Sequence, residues 1–527
     1  MEQRWTSGLP ASVSIYGMSD ISRREAIETI SRLGVAALLP GVLPGCSLAP
    51  QGAPARERRP GLIKEENAKK GTRDWMLSKT RIEPATKYRC PWIEGYFSHL
   101  SAGAGETVSL FVSTNPASKF TVQLYRSGWY GGDGGRLVAD LGSFQGRVQE
   151  DPPMGERRLR ECRWEAAAKV AIPNDWPSGV YLAKLTSEPE GIQSYATLIV
   201  RDDRACDYLV QCSDTTWHAY NRWPSQFSLY DDGKSTWYWG AGVDVSFDRP
   251  YGKYCQILEQ PLSIGSGEWF MWEFPLAFWM ESQGYDVSYV SNLDTHADPA
   301  GLRRAKGLLS VGHDEYYSLP MFQNLKAAIA DGLSVAFLSG NTCCGLLEIL
   351  PSTDGRPNRI FRRIDRFGPR DETGDRIFTA MKTLPRTGPN EATLIGARST
   401  GSVMGGSPYL CSKPDHWLFE GTGMKEGDGI PGLVGWEWHG DPADIPGLEI
   451  VSRGMIKYSG MENQYTSTLY PGPKGNIVFN AATCWWSDGM GAPPGYIHPK
   501  AHGAEPRGPD PRAQRITANL LARMQKA

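Results

Sequence analysis

Apolar residues recur at every second position through the first half of the chain. In "ETVSLFVST" they fall on Val108, Leu110 and Val112, and in "KFTVQLYRSGWY" on Phe120, Val122 and Leu124. "SGVYLAKL" and "SYATLIVRDD" continue in the same way, with Gly, Pro, Asn and Asp between the runs. Short alternating segments without a helical period predict a β-sandwich over residues 85–203. The stretch "GWYGGDGGR" follows a strand and opens no helix, so it reads as a hairpin or loop rather than a dinucleotide fingerprint.

After residue 204 the pattern changes. "DYLVQCS", "DVSYVS", "GLLSVG", "SVAFLSG" and "GNIVFNAAT" are continuous apolar runs, as expected of strands buried on both faces. Between them lie helical segments: "EWFMWEFPLAFWMESQGY", kinked or started near Pro275, and "LPMFQNLKAAIADG", closed by Gly332. "DPRAQRITANLLARMQ" predicts a last helix. The alternation predicts a mostly parallel α/β sheet domain over 204–527. A Gly- and Pro-rich stretch of weak periodicity, about 345–475, is expected to be an irregular insertion.

The N-terminus is of another kind. "SRREAIETISRLGVAALLPGVLPGC" joins Arg23 and Arg24 to a weakly apolar stretch ending at Cys46, and it is too short and interrupted for a stable membrane span. It resembles a twin-arginine export signal with a lipoprotein-type cysteine, which predicts export and a lipid anchor at Cys46. Met18 stands at the usual distance upstream and is a candidate start. Residues 47–84, rich in Pro, Gly and charge, read as a linker.

Composition narrows the function. At 527 residues the chain is too long for one ordinary core. A net charge of −2 offers no basic field for nucleic acid. The cysteines never take a C-x2-C spacing, which argues against a zinc ribbon.

In open α/β sheets ligands bind beyond the carboxyl ends of the strands. Three of the buried strands end in unusual chemistry: "DTTWHAYN", "HDEYYS" and "NTCCG". If those strands are neighbours, His218, Tyr220, His313, Glu315, Asn341 and Cys343 share one rim. Three chemistries compete for it. The H-x-E of "HDE" belongs to zinc deaminases, but the required P-C-x-x-C is missing. Cys343 after a strand, with His313 nearby, suggests a thiol nucleophile on an amidotransferase-like fold, although Asn341 stands where the elbow needs a small residue. Glu315 with Tyr220, Tyr230, Tyr316 or Tyr317 could instead hold a metal. Phenols ionise near ~10, so a tyrosine–carboxylate set calls for a strongly Lewis-acidic ion such as Fe(III).

"SDTTWHAYNRWPSQFSLYDDG", "VGHDEYYS", "LSGNT" and "GLVGWEWHGDP" resemble the catalytic domain of the large (beta) subunit of N,N-dimethylformamidase, and "YRSGWYGGDGGR" and "NDWPSGVYLAKL" the sandwich domain that accompanies it. The resemblance covers roughly residues 90–525. It implies an amidohydrolase with a mononuclear Fe(III) held by Tyr220, Tyr230 and Glu315. It also implies a histidine beside the metal at His313, a substrate-side asparagine at Asn341 and a remote acidic residue at Glu437. A small amide substrate, a small partner subunit and a homo-oligomer are further expectations. Two features depart from the family pattern: the loop between Tyr220 and Tyr230 is shorter, and an export signal precedes the domains. Two other readings stay open, a hydrolase using Cys343 and a secreted carbohydrate- or surface-binding protein in which these residues only line a cleft.

Overall fold

The computed structural model describes residues 57–253, 261–368, 388–399, 404–498, 505 and 507–526. The export-signal reading, with Met18, Arg23, Arg24 and Cys46, lies outside the described residues. Arg56–Ala527 form one compact unit. It is a mixed α/β structure with several sheets, in which strand outweighs helix.

Two sheets occupy residues 94–200. One has three strands, Glu94–Phe97, Thr107–Ser113 and Ala166–Ala171. The other has five, with Lys119–Ser127 between Gly135–Gln145 and Gly179–Ser187. Val108, Leu110, Val112, Phe120, Val122 and Leu124 are all buried in a single apolar cluster, so the two-residue period marks the inward faces. "GWYGGDGGR" is the connection between the antiparallel strands Lys119–Ser127 and Gly135–Gln145.

The stretch read as a linker differs from expectation. Leu62–Asn67 is a helix that buries Ile63, Glu66 and Asn67, and Trp75 is buried behind it. Lys64 and Glu65 are exposed, while the buried Glu66 and Asn67 are hydrogen-bond partners. Asn67 donates to Glu281 at 2.8 Å, and Tyr130 donates to Glu66 at 2.8 Å. Glu281, on the helix Phe274–Ser282, also receives both terminal nitrogens of Arg126 at 2.8 and 3.0 Å. That ion pair is buried and ties the early sheets to the later ones.

The large sheet has seven strands in the order Val287–Ser291, Cys206–Cys212, Ala305–Gly312, Ser334–Ser339, Ile477–Asn480, Met461–Pro471 and Glu449–Tyr458. The first five are parallel, and Met461–Pro471 runs antiparallel between Ile477–Asn480 and Glu449–Tyr458. The apolar helical stretch is two helices, Trp269–Trp272 and Phe274–Ser282, meeting at Glu273 with Pro275 in the first turn of the second. The stretch 345–475 is more regular than its sequence suggests where it is described. Glu449–Tyr458 and Met461–Pro471 extend the main sheet. Gly345–Leu350 and Ile360–Arg366 build a second one with Asp244–Ser246 and Tyr316–Ser318. No helix among the described residues is long and apolar enough to cross a membrane.

Candidate active site

The strands ending at Cys212, Gly312 and Ser339 are adjacent and parallel, with Ser310 opposite Gln211 and Gly312 opposite Ser339. Their carboxyl ends therefore open onto one rim. Beyond Gly312 the side chains of "HDEYYS" part company. Asp314 turns into the protein, where Gln211, Ser310, Tyr317 and Asn292 donate to its carboxylate at 2.6–3.1 Å. With Asp314 anchored, His313 and Glu315 occupy the rim. Thr216, on the helix Asp214–Tyr220, accepts from the backbone N–H groups of Glu315 and Tyr316 at 3.1 and 3.3 Å, which fixes that helix to the same loop.

Tyr220 is the last residue of that helix. Its hydroxyl donates to Glu315 Oε2 at 2.7 Å. Tyr230 returns to the same point: its hydroxyl is 2.5 Å from that of Tyr220 and 3.1 and 3.3 Å from the two Glu315 oxygens. The loop between Tyr220 and Tyr230 closes around the buried Arg249. Arg249 donates to the carbonyls of His218, Asn221, Trp223 and Phe227 at 2.9–3.1 Å, and Leu229 N–H donates to Ala219 O at 2.8 Å. The loop thus keeps both phenols together.

His313 Nε2 is 2.5 Å from Glu437 Oε2 and 3.5 Å from Glu315 Oε2. Glu437 lies in a turn after the strand Gly429–Gly435, beside Trp436, whose φ of 66° is left-handed. A Cβ on Gly340 would come within 2.1 Å of the Glu437 carbonyl oxygen, so only glycine lets these loops touch there. Asn341 is the next residue, also left-handed at φ 53°, fully buried, with neither side-chain polar atom hydrogen-bonded. Its loop is pinned by His439, whose Nε2 accepts from Thr342 N–H at 3.0 Å while Nδ1 lies 2.6 Å from Asn480 Oδ1. A left-handed, buried asparagine with unsatisfied polar atoms is costly unless a ligand uses it.

Electrostatics set the character of the site. Burial pushes the Tyr220 and Tyr230 phenols far above their ordinary range, and the Glu315 carboxylate adds to the push. Burial, then Glu437, raises Glu315 as well. Burial alone would lower His313, but the Glu437 carboxylate holds it up at about 9. Three buried ionisable oxygens within hydrogen-bonding distance of one another are a set that a cation would relieve. The donor set therefore fits a hard, highly charged metal ion.

Some candidates do not join the site. His218 packs edge-on to Phe247 and against Tyr251 instead, and burial drives its ring toward the neutral form. Cys343 is buried in a separate apolar cluster, and its thiol is pushed well up by burial and by Glu391 and Asp314. Such burial disfavours the thiolate that a nucleophile needs.

Other residues join it without a sequence signal. Cys484 offers its sulfur within 4.8 Å of the His313 and Glu437 ligand atoms. Glu268 is buried, pushed up to about 8, and accepts from Trp272, whose ring stands edge-on to His313 at 5.9 Å. Trp272, Trp436 and Trp485 pack together as an aromatic wall. Tyr316 donates to Tyr230 at 2.6 Å and receives Arg363 at 2.8 Å. Only the paired tyrosines of "HDEYYS" hinted at any of these.

No curated protein matches the chain. A family model described as "N,N-dimethylformamidase beta subunit-like, C-terminal" matches residues 121–500, which take in the later strands of the early sheets and the whole rim, and the chain belongs to that family.

Proposed function

We propose that this protein is an amidohydrolase that cleaves the C–N bond of a small amide at a mononuclear ferric centre held by Tyr220, Tyr230 and Glu315. The observation that carries the reading is the meeting of these three oxygens beside the His313–Glu437 pair. A ferric ion bound there would supply Lewis acidity toward a carbonyl oxygen and toward water. The chain's own residues supply the rest. His313, protonated against Glu437, gives a proton at Nε2 to the departing amine nitrogen. Glu437 keeps the imidazole charged until that transfer. Asn341 offers its unused Nδ2 hydrogens to the carbonyl oxygen as negative charge develops. The tryptophan wall keeps bulk water from the reacting atoms.

The N-terminal signal completes the proposal: the enzyme acts outside the cytoplasm, anchored through Cys46. Twin-arginine export carries folded proteins, which suits a metalloprotein loaded before crossing. The described cysteines are all unpaired and buried, in keeping with a fold completed in a reducing compartment.

The test joins metal analysis, the visible spectrum and hydrolysis of N,N-dimethylformamide and related small amides. Expected are bound iron, a tyrosinate-to-iron charge-transfer colour, and release of amine that stops when iron is removed. The proximity of Cys484 to His313 favours one competing reading, a thiol hydrolase. Burial and then Glu437 push that thiol well up, which opposes it. Amidase activity that survives iron removal and is lost in Cys484→Ala would establish the thiol reading instead.

A further inference from the structure

Tyr316 is the third phenol at the site, and its surroundings define its part more narrowly than those of Tyr220 and Tyr230. It lies on the short strand Tyr316–Ser318, opposite Gly345 of the parallel strand Gly345–Leu350. A Cβ on Gly345 would come within 2.4 Å of the Tyr316 ring, so the ring packs closely against the neighbouring backbone. Arg363, on the strand Ile360–Arg366, is fully buried, and its guanidinium carbon stands 4.2 Å above the Trp239 ring. It donates to the Tyr316 oxygen at 2.8 Å and to the Tyr238 carbonyl at 2.7 Å.

A guanidinium only donates, and a phenol carries one hydrogen. The Tyr316 oxygen is therefore occupied as an acceptor by Arg363, and its hydrogen is directed to the Tyr230 oxygen, 2.6 Å away. The chain of bonds has one polarity: Arg363 to Tyr316 to Tyr230. A deprotonated Tyr230 would have no hydrogen of its own and would need such a donor. Partners that hydrogen-bond a metal ligand fix its orientation and tune its donor strength.

We propose that Tyr316 is a positioning residue and not a ligand: held by Arg363 and Gly345, it donates its hydroxyl hydrogen to the Tyr230 oxygen and sets the donor strength of that phenolate. This rests on the ferric reading of the site. It assigns Tyr230 and Tyr220 unequal parts, because only Tyr230 receives this bond.

The experiment compares iron content, circular dichroism and the visible spectrum of the full iron-loaded chain with those of Tyr316→Phe and Arg363→Lys. Tyr316→Phe is expected to keep its iron and to move the charge-transfer band to longer wavelength, because a phenolate relieved of its donor is richer in electrons. Arg363→Lys keeps the charge and loses the fixed fork, and should give a smaller shift in the same direction. Resonance Raman of the wild-type protein in H2O and D2O needs no variant. One of the two tyrosinate C–O stretches should shift on exchange. Loss of iron from a folded Tyr316→Phe would make Tyr316 a ligand and overturn the proposal, as would an unmoved band. If neither variant folds, C–O stretches insensitive to D2O overturn it. A wild-type protein without iron or colour overturns the ferric reading beneath it, an outcome distinct from the others.

Discussion

At the scale of residues, the rim divides its labour by charge. Glu315 touches both phenols, so it is the group whose loss most disturbs the donor set. Glu315→Gln should lose metal and activity together, as read by metal analysis and amine release. Tyr230→Phe should bleach the colour before it abolishes binding, since the packing of its ring is kept. The His313–Glu437 pair has a separate signature in the metal-free protein. Glu437 holds His313 protonated to about 9, against an ordinary value of 6.5. Its stabilisation is then complete below pH 6.5 and vanishes as the pH rises through 9, amounting to roughly 3 kcal/mol at most. Denaturant unfolding at pH 6 and pH 10 should show a larger loss for the wild type than for Glu437→Gln. Equal losses would mean that the pair stores no such energy.

At the scale of elements, the site depends on turns more than on regular structure. Tyr220 ends a helix, and Tyr230 lies in a loop whose shape comes from one buried arginine. Arg249 satisfies four carbonyls that would otherwise face a dry interior. Hydrogen bonds from a charged donor contribute ~1.5–3 kcal/mol each, net of the water bonds they replace. Arg249→Met should therefore lower the unfolding midpoint and loosen Tyr230. The expected result is a folded protein with reduced iron and a weakened colour, while a variant with wild-type metal content would show that the loop holds itself. The same dependence explains the weak periodicity of the first part of 345–475. Gly345–Leu350 and Ile360–Arg366 pair outside the stretch, with the three-residue strands Tyr316–Ser318 and Asp244–Ser246. Local periodicity carries no record of such pairings.

At the scale of the molecule, residues 57–200 and the later sheets share buried polar contacts. Glu281 receives Arg126, Asn67 and Tyr289 from three different parts of the chain. Glu281→Ala would leave Arg126 as an uncompensated buried charge, at a cost of ~3–5 kcal/mol. Thermal or chemical unfolding should show that loss as one cooperative shift. A variant within ~1 kcal/mol of wild type would mean that water or another group replaces the carboxylate. The export proposal has its own check. Replacing both Arg23 and Arg24 by Lys should leave the protein inside the cell with its N-terminal segment uncleaved, whereas the wild-type chain should begin at or near Cys46. A cytoplasmic wild-type chain beginning at Met1 would refute it.

The sequence alone determined the alternating strands, the buried parallel ones and the helices Leu319–Ala330 and Pro511–Met524. These follow from spacing, and spacing is a local property of the chain. It also showed three strand ends rich in polar groups and, through resemblance, which residues to watch. Tertiary structure decided which of those residues meet. Tyr220 and His218 are two positions apart, yet one reaches Glu315 and the other packs away against Phe247. Tyr316 and Tyr317 are adjacent in a strand, so they face opposite ways, one to Tyr230 and one to Asp314. Cys343 carried the stronger motif, but Cys484 lies beside His313. The parts of Arg249 and Arg363 had no sequence signature, because a buried arginine is defined by the carbonyls and phenols around it, and these come from segments that only folding brings together.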